Sequence, residues 1–256
     1  MASIAAEPQA GTEQRERRFF LIMACVMAAT VVAGFGGNHL MGRSSFAVPA
    51  IYHIHAFVFL GWVALYVAQN ALVTRGNVAM HRRLGPLALL LIPAMVVMAV
   101  WLTLFTLRFQ GGPSFIAQHE FLFVNIFHIG AFAGLAIGAL TMRRRTDWHR
   151  RLMFGAMATV SAPGLARLLP LPLMMPYVFP ILFVASLVFP VIGIFADLRR
   201  HGRVHPAWIW ACAVPIAALA LGEAIASTEW AREYVAAHIA GTAGAERPME
   251  AFLPPM

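Results

Sequence analysis

The sequence predicts an all-α polytopic membrane bundle of about seven transmembrane helices, and three observations predict it. Of 256 residues, 60% are hydrophobic and 12% are Asp, Glu, Lys or Arg, far from the usage of a soluble domain. Apolar runs of about 20 residues recur along nearly the whole chain, each long enough at 1.5 Å per residue to cross about 30 Å of hydrocarbon. The arginines are sorted by loop instead of being gathered in one patch. Because the runs are continuously apolar, without a period of two, they favour helices over a barrel.

The first span, 19–41, follows a cytoplasmic N-terminus of residues 1–18, whose first part, 1–14, is small and polar and reads as disordered. Its basic flank imitates a secretory signal, but its apolar core is too long for one. The remaining spans are read at 50–73, 84–107, 116–142, 150–169, 177–198 and 206–226, where Pro206 suits the first turn of the last helix. The membrane domain is therefore 19–226, with core hairpins over 50–170. Residues 227–256 form an extracytoplasmic tail. Within 223–240 the apolar positions fall at helical spacing, so this stretch either continues span seven or lies on the outer surface as an amphipathic helix.

Arg15, Arg17 and Arg18 precede span one; Arg75, Arg82 and Arg83 separate spans two and three; Arg143, Arg144, Arg145, Arg150 and Arg151 separate four and five; Arg199, Arg200 and Arg203 separate six and seven. The alternate loops carry only Arg43 and Arg108. By the positive-inside rule the N-terminus is cytoplasmic, in a bacterial-type inner (plasma) membrane. The net charge of +8 thus reports topology and anionic headgroups, with the lipid bilayer as partner and no nucleic acid. Cys25 and Cys212 fall inside spans and read as packing residues. All 19 basic residues are arginine, which excludes a retinal Schiff base, since that needs a lysine amine.

The cytoplasmic loops repeat. TRGNVAMHRRLG, RRRTDWHRRLM and DLRRHGRVHPAW each place a histidine at or near the start of the next span, as expected of three helical hairpins of one design. His81 and His149 hold equal positions relative to their spans. One reading is that the arginines snorkel to headgroups and each histidine caps a helix start. The other is axial ligation of a heme iron by His81 and His149, with Arg82, Arg83, Arg150 and Arg151 on the propionates.

The second candidate pair is His55 on span two and His128 on span four. Positions 55, 59, 62, 66 and 69 share one helical face and read His, Phe, Trp, Tyr, Gln. Counted from the cytoplasmic side, the two histidines differ in depth by roughly 6 Å, and buried histidines in a bundle also simply hydrogen-bond across helices. His39, His53 and His119, all near the outer edge, are an alternative zinc or copper set. Arg167, about 27 Å along span five from His149, calls for a partner such as Glu120, Glu223, a propionate or an anionic substrate group, or else snorkels at the span's end.

The word His81-Arg-Arg-Leu-Gly85 resembles the ligand motif of the transmembrane b-type cytochromes that are reduced by ascorbate or quinol, and of related uncharacterised bacterial membrane proteins. In that superfamily four consecutive helices carry two bis-histidine hemes, one near each membrane face. The resemblance covers about residues 50–170. It implies heme b, one or two per chain, held by the metal ligands His55, His128, His81 and His149, with Arg167 as a further cofactor contact. It departs at Met153, where a glycine would give the porphyrin room. The expected function is a b-type heme protein carrying electrons across or within the inner membrane, with quinone or another small reductant, and a membrane-protein partner, as candidate partners. Such a protein needs no catalytic side chain of its own. A cofactor-free permease or small-lipid binding protein with a cavity around Arg167, Glu120 and Asn125, or an accessory subunit of a larger complex, are the expectations from other classes.

Overall fold

The computed structural model describes residues 7–253, and among them every regular element is helical: α1 (Glu7–Leu40), α2 (Ala50–Thr74), α3 (Val78–Leu84), α4 (Leu87–Gln110), α5 (Gln118–Thr141), α6 (Thr146–Leu168), α7 (Val178–Ser186), α8 (Val188–His201), α9 (Ala207–Ala226) and α10 (Glu229–Ile239), with short 3-10 turns at Leu171–Met174 and Ala243–Glu246. The disorder read for residues 1–14 is not found from Glu7 onward, where the chain is already helical; residues 1–6 lie outside the described residues. Local chemistry sets the other boundaries. Gly76, at φ 76°, turns the chain after α2, and Asn77 caps α3 by accepting a hydrogen bond from the Met80 amide at 3.1 Å. The sixth expected span is broken into α7 and α8, since Pro190 has no N–H to offer the Ser186 carbonyl.

Among the described residues six stretches are long and apolar enough to cross a membrane: Gly11–Leu40, Ala50–Thr74, Leu87–Gln110, Gln118–Thr141, Val178–His201 and Ala207–Ala226. The expected span 150–169 is not among them, because α6 dilutes its apolar residues with Arg150, Arg151, Arg167, Thr159 and Ser161. Yet α6 runs beside α1, in the same direction, along most of the bundle. Glu16 meets Arg151, Phe20 meets Phe154, and Phe35 lies under the Arg167 guanidinium. The two backbones touch near the far end of this seam. A β-carbon on Gly34 would sit 2.2 Å from the Gly164 carbonyl oxygen, and one on Gly164 would sit 2.7 Å from the Val31 α-carbon. Small residues bring membrane helices this close.

Helix packing closes a ring. α1 packs on α2, α2 on α4, α4 on α5, α5 on α6, and α6 back on α1, while α8 and α9 lie outside against α6 and α5. Along the chain these five helices alternate in direction, so a ring of odd number has to contain one parallel neighbouring pair. That pair is α1 and α6. The ring is filled at mid-depth by Met27, Trp62, Met95, Phe132 and Met157, none more than 2% exposed. Trp62 on α2 meets Phe132 on α5 edge to face across it, with centroids 5.0 Å apart.

The two ends of the bundle differ in chemistry. The start of α1, the end of α2, the start of α6, the end of α8 and the start of α9 gather at an arginine-rich end, joined by Thr74 to the Arg17 carbonyl, Arg151 to Glu16 and Asp197, and His205 to Asp147. At the far end the C-terminal segment folds back. α10, capped by Thr228, buries Ala231, Val235 and Ile239 against Leu107, Leu122 and Phe123. This settles the 223–240 alternatives in favour of a separate surface helix. Arg247 then pins the tail by donating to the carbonyls of Gly111, Pro113 and Ile116.

Candidate functional site

The Trp62–Phe132 contact supplies a common ruler for α2 and α5, which run the same way across the ring. Gln69 lies seven residues beyond Trp62 and Ala139 seven beyond Phe132, so both stand about 10 Å nearer the arginine-rich end. Each holds one of the repeated histidines. His149 Nδ1 faces the Ala139 carbonyl at 2.8 Å. The side-chain amide of Gln69, oriented so that its oxygen accepts from the Gly85 amide at 3.1 Å, donates to His81 Nδ1 at 2.6 Å. His81 and His149 thus share one depth. They are also close enough that His149, after burial, is the second cause holding the His81 imidazolium below its ordinary range.

Hydrogen bonding fixes the tautomers. A carbonyl only accepts, so His149 Nδ1 carries the proton and its Nε2 keeps a lone pair, the form a metal-bound imidazole takes. His81 is the opposite case. With Nδ1 accepting from Gln69, its proton sits on Nε2, and ligation of a metal asks for the other tautomer together with a turned Gln69 amide. The two imidazoles as they stand are a complementary donor and acceptor. His81 is also not a helix opener, since it lies in the last turn of α3 and Asn77 does the capping.

The predicted face of α2 points inward as the spacing required: Trp62 is 2% and Tyr66 5% exposed. His55, seven residues before Trp62, stacks on Phe59 at 4.1 Å and leaves a buried Nδ1 without a hydrogen-bond partner. His128, four residues before Phe132, has Nε2 at 3.0 Å from the Thr159 carbonyl, packs edge-on against Phe183, and likewise leaves Nδ1 buried and unpartnered. Here Nε2 carries the proton and Nδ1 the lone pair. On the same ruler His55 and His128 stand about 10 and 6 Å toward the far end, so their depths differ by roughly 4 Å. No hydrogen bond or ring contact joins them among the described residues. His55 and His128 each keep one buried ring nitrogen without a hydrogen-bond partner, and the arginine-rich pair is the one matched in height.

The arginines divide. Arg82 and Arg83 are exposed on α3, free to meet propionates or headgroups. Arg150 and Arg151 instead form a buried ion network. Arg151, 2% exposed, grips both oxygens of Asp197, with Nε at 2.9 Å and Nη2 at 2.8 Å. It also donates from Nη2 to Glu16 at 2.9 Å and from Nη1 to the Asp147 carbonyl at 3.1 Å, while Arg150 reaches Glu16 at 2.7 Å. Trp208 adds a 2.8 Å bond to Asp197, and Gly193 makes room for it, since a β-carbon there would lie 2.2 Å from the indole. Glu16, Asp197 and His201 are the one set of three metal-competent groups among the described residues. Two guanidinium groups occupy their oxygens, so the set is an ion network. The repeated loop points to Arg150 and Arg151, while their partners Glu16 and Asp197 lie far from them in the chain.

His205 donates from Nε2 to Asp147 at 2.9 Å and accepts the Ala207 amide at Nδ1, capping α9 and tying two arginine-rich loops together. Burial pushes the Asp147 carboxyl up, but the hydrogen bonds from His205 and the Trp148 amide outweigh it and hold the group below its ordinary range. Of the outer metal set, His39 and His53 both pack near the Phe46 ring, at 4.4 and 6.5 Å between centroids, and each bonds a loop carbonyl. His119 faces Glu250 instead, at 3.5 Å. Arg167 lies 3.7 Å above the Phe35 ring and donates to the Pro163 carbonyl of its own helix. Asn125 bonds within α5, the charged neighbours of Glu120 are Glu223, Glu250 and Arg232, and among the described residues no hydrogen bond or ion pair joins Arg167, Glu120 and Asn125 to one another. Comparison with protein-family models, curated proteins and solved structures finds no match for this chain, and its chemistry is read from these side chains.

Proposed function

We propose that the chain is a seven-span inner-membrane protein with a cytoplasmic N-terminus, α6 being the seventh span, and that it holds b-type heme for electron transfer across or within the membrane. One observation carries the reading: His81 and His149, from separate helices, stand at one depth and close together, and His149 presents Nε2 as a lone pair. A bound heme supplies the one-electron chemistry. The chain's own part is to orient His149 through the Ala139 carbonyl, to offer His81 under the control of Gln69, and to place Arg82 and Arg83 where carboxylates at the headgroup level would be neutralised. His55 and His128, with unpartnered Nδ1 atoms, are the candidates for a second heme in the other half. The test is the absorption spectrum of full-length protein purified from heme-supplied cells. A Soret band and a reduced alpha band, with heme lost in His149→Ala, are expected; a colourless preparation refutes the proposal.

A second reading, a cofactor-free permease or small-lipid binding protein, is favoured by Arg167, which among the described residues has an aromatic face and a carbonyl as partners but no carboxylate. A half-buried cation on an apolar bundle normally has an anionic partner. Arg167 lies near enough to His55 to act on it electrostatically. A colourless protein that binds a small organic anion, and loses that binding in Arg167→Gln, would establish it.

A further inference from the structure

A groove of about 440 Å³ opens on the surface at the arginine-rich end, lined by Phe19 of α1 and by Ile192, Phe195, Ala196, Arg199 and Arg200 of α8. The α8 residues follow one helical stripe, i, i+3, i+4 and i+7, with Arg200 beside it. The stripe is graded: its apolar members lie deeper along the helix, and its cations occupy the last turn. Ile192 is 40% and Phe195 60% exposed, on a stretch apolar enough to cross a membrane. The groove therefore has a greasy floor toward the membrane interior and positive charge at its outer rim.

That charge is surplus. In the neighbouring network two carboxylates, Glu16 and Asp197, are engaged by two guanidinium groups, Arg150 and Arg151, so their charges cancel. Arg199 and Arg200 add two further positive charges and form no ion pair of their own among the described residues, although Glu16 and Asp197 act on Arg200 from a distance. Arg200 lies over the Phe19 ring at 4.4 Å, and its Nη1 is buried without a hydrogen-bond partner, a costly condition for a charged donor.

We infer that the α1–α8 groove binds one anionic phospholipid, its phosphate between Arg199 and Arg200 and an acyl chain along Phe19, Ile192 and Phe195. A soluble anion would leave the apolar floor uncovered, and a zwitterionic lipid would leave the net positive charge of the rim uncompensated. This inference stands on packing and charge and does not depend on heme.

The test uses full-length protein in nanodiscs of phosphatidylcholine mixed with phosphatidylglycerol, with retained lipid counted by native mass spectrometry after extraction. One retained phosphatidylglycerol is expected, with its preference over phosphatidylcholine falling about five-fold for Arg199→Gln and roughly 25-fold for the double change Arg199→Gln/Arg200→Gln. Phe195→Ala should shorten retention of both lipids without altering headgroup preference, which reads the apolar floor separately, and Arg43→Gln at the far end serves as a control. Equal retention of the two lipids by the native chain overturns the inference, as does an unchanged preference in Arg199→Gln, an exposed position where misfolding does not intervene. Inorganic phosphate displacing the lipid at millimolar concentration also overturns it, since the site would then be one for a free anion.

Discussion

Replacing Arg151 by Met tests what holds the arginine-rich end together. The methionine fills similar space but removes four donor contacts: two to Asp197, one to Glu16 and one to the Asp147 carbonyl. Glu16 keeps Arg150 at 2.7 Å. Asp197, whose side chain is 3% exposed, keeps only the Trp208 indole among its side-chain donors. Most of the loss therefore falls on one stranded carboxylate, and breaking a buried pair from one side costs about 3–5 kcal/mol. For a chain of this size that corresponds to a fall in melting temperature of roughly 10 °C, followed by tryptophan fluorescence in detergent or nanodiscs, with Trp208 as reporter. Adding Asp197→Asn to Arg151→Met should recover about 2 kcal/mol, because the neutral amide still accepts from Trp208 and no longer demands a counter-charge. A single variant that melts within about 2 °C of the native chain, or a double variant worse than the single, refutes the claim that the network is a coupled buried unit.

Gly164→Val should cost about 1–3 kcal/mol or more, because its first added carbon would sit 2.7 Å from the Val31 α-carbon; an unchanged melting temperature means α1 and α6 do not touch there. Stability should rise with pH over the interval that ends near 6.5, the ordinary histidine value. His81 is held below that value, so the unfolded chain binds the extra proton and the folded state loses ground as pH falls. Melting curves from pH 5 to 7.5 should show the slope, and His81→Gln should make it shallower; an equal slope in the variant assigns the effect to other groups.

Much of the helical framework was legible in the sequence because lipid imposes a simple rule on length and polarity. The expected 50–73 and 206–226 are α2 and α9 within a residue or so. The inward face of α2 was legible too, since Trp62 and Tyr66 repeat at helical spacing and both are buried. Misses share one cause, which is that protein neighbours replaced lipid. α6 is too polar for the rule, yet its arginines meet Glu16 and Asp197 and its glycine meets a backbone. Glu16 stands between Arg15 and Arg17 and reads as surface charge, while Asp197 reads as a helix-end residue. An acidic residue inside each of two arginine-rich loops was the available clue, but pairing across 135 positions in the chain is a tertiary fact. Depth matching of the histidines was half visible. Their equal distance from the spans placed His81 and His149 together, whereas the tautomers followed only from Gln69 and Ala139.

The odd-membered ring has a consequence for biogenesis. α1 enters first, but its parallel seat on α6 is made only after more than a hundred further residues have been synthesised, so the leading helix waits on lipid with one flank unoccupied. α6 faces the converse difficulty: it falls short of the apolarity that lets a helix cross a membrane by itself, and its Arg151 finds one carboxylate on α1, made earlier, and the other on α8, made later. The seam that closes this bundle is thus made late, and a chain truncated just before α6 would leave one flank of its first helix without its protein neighbour.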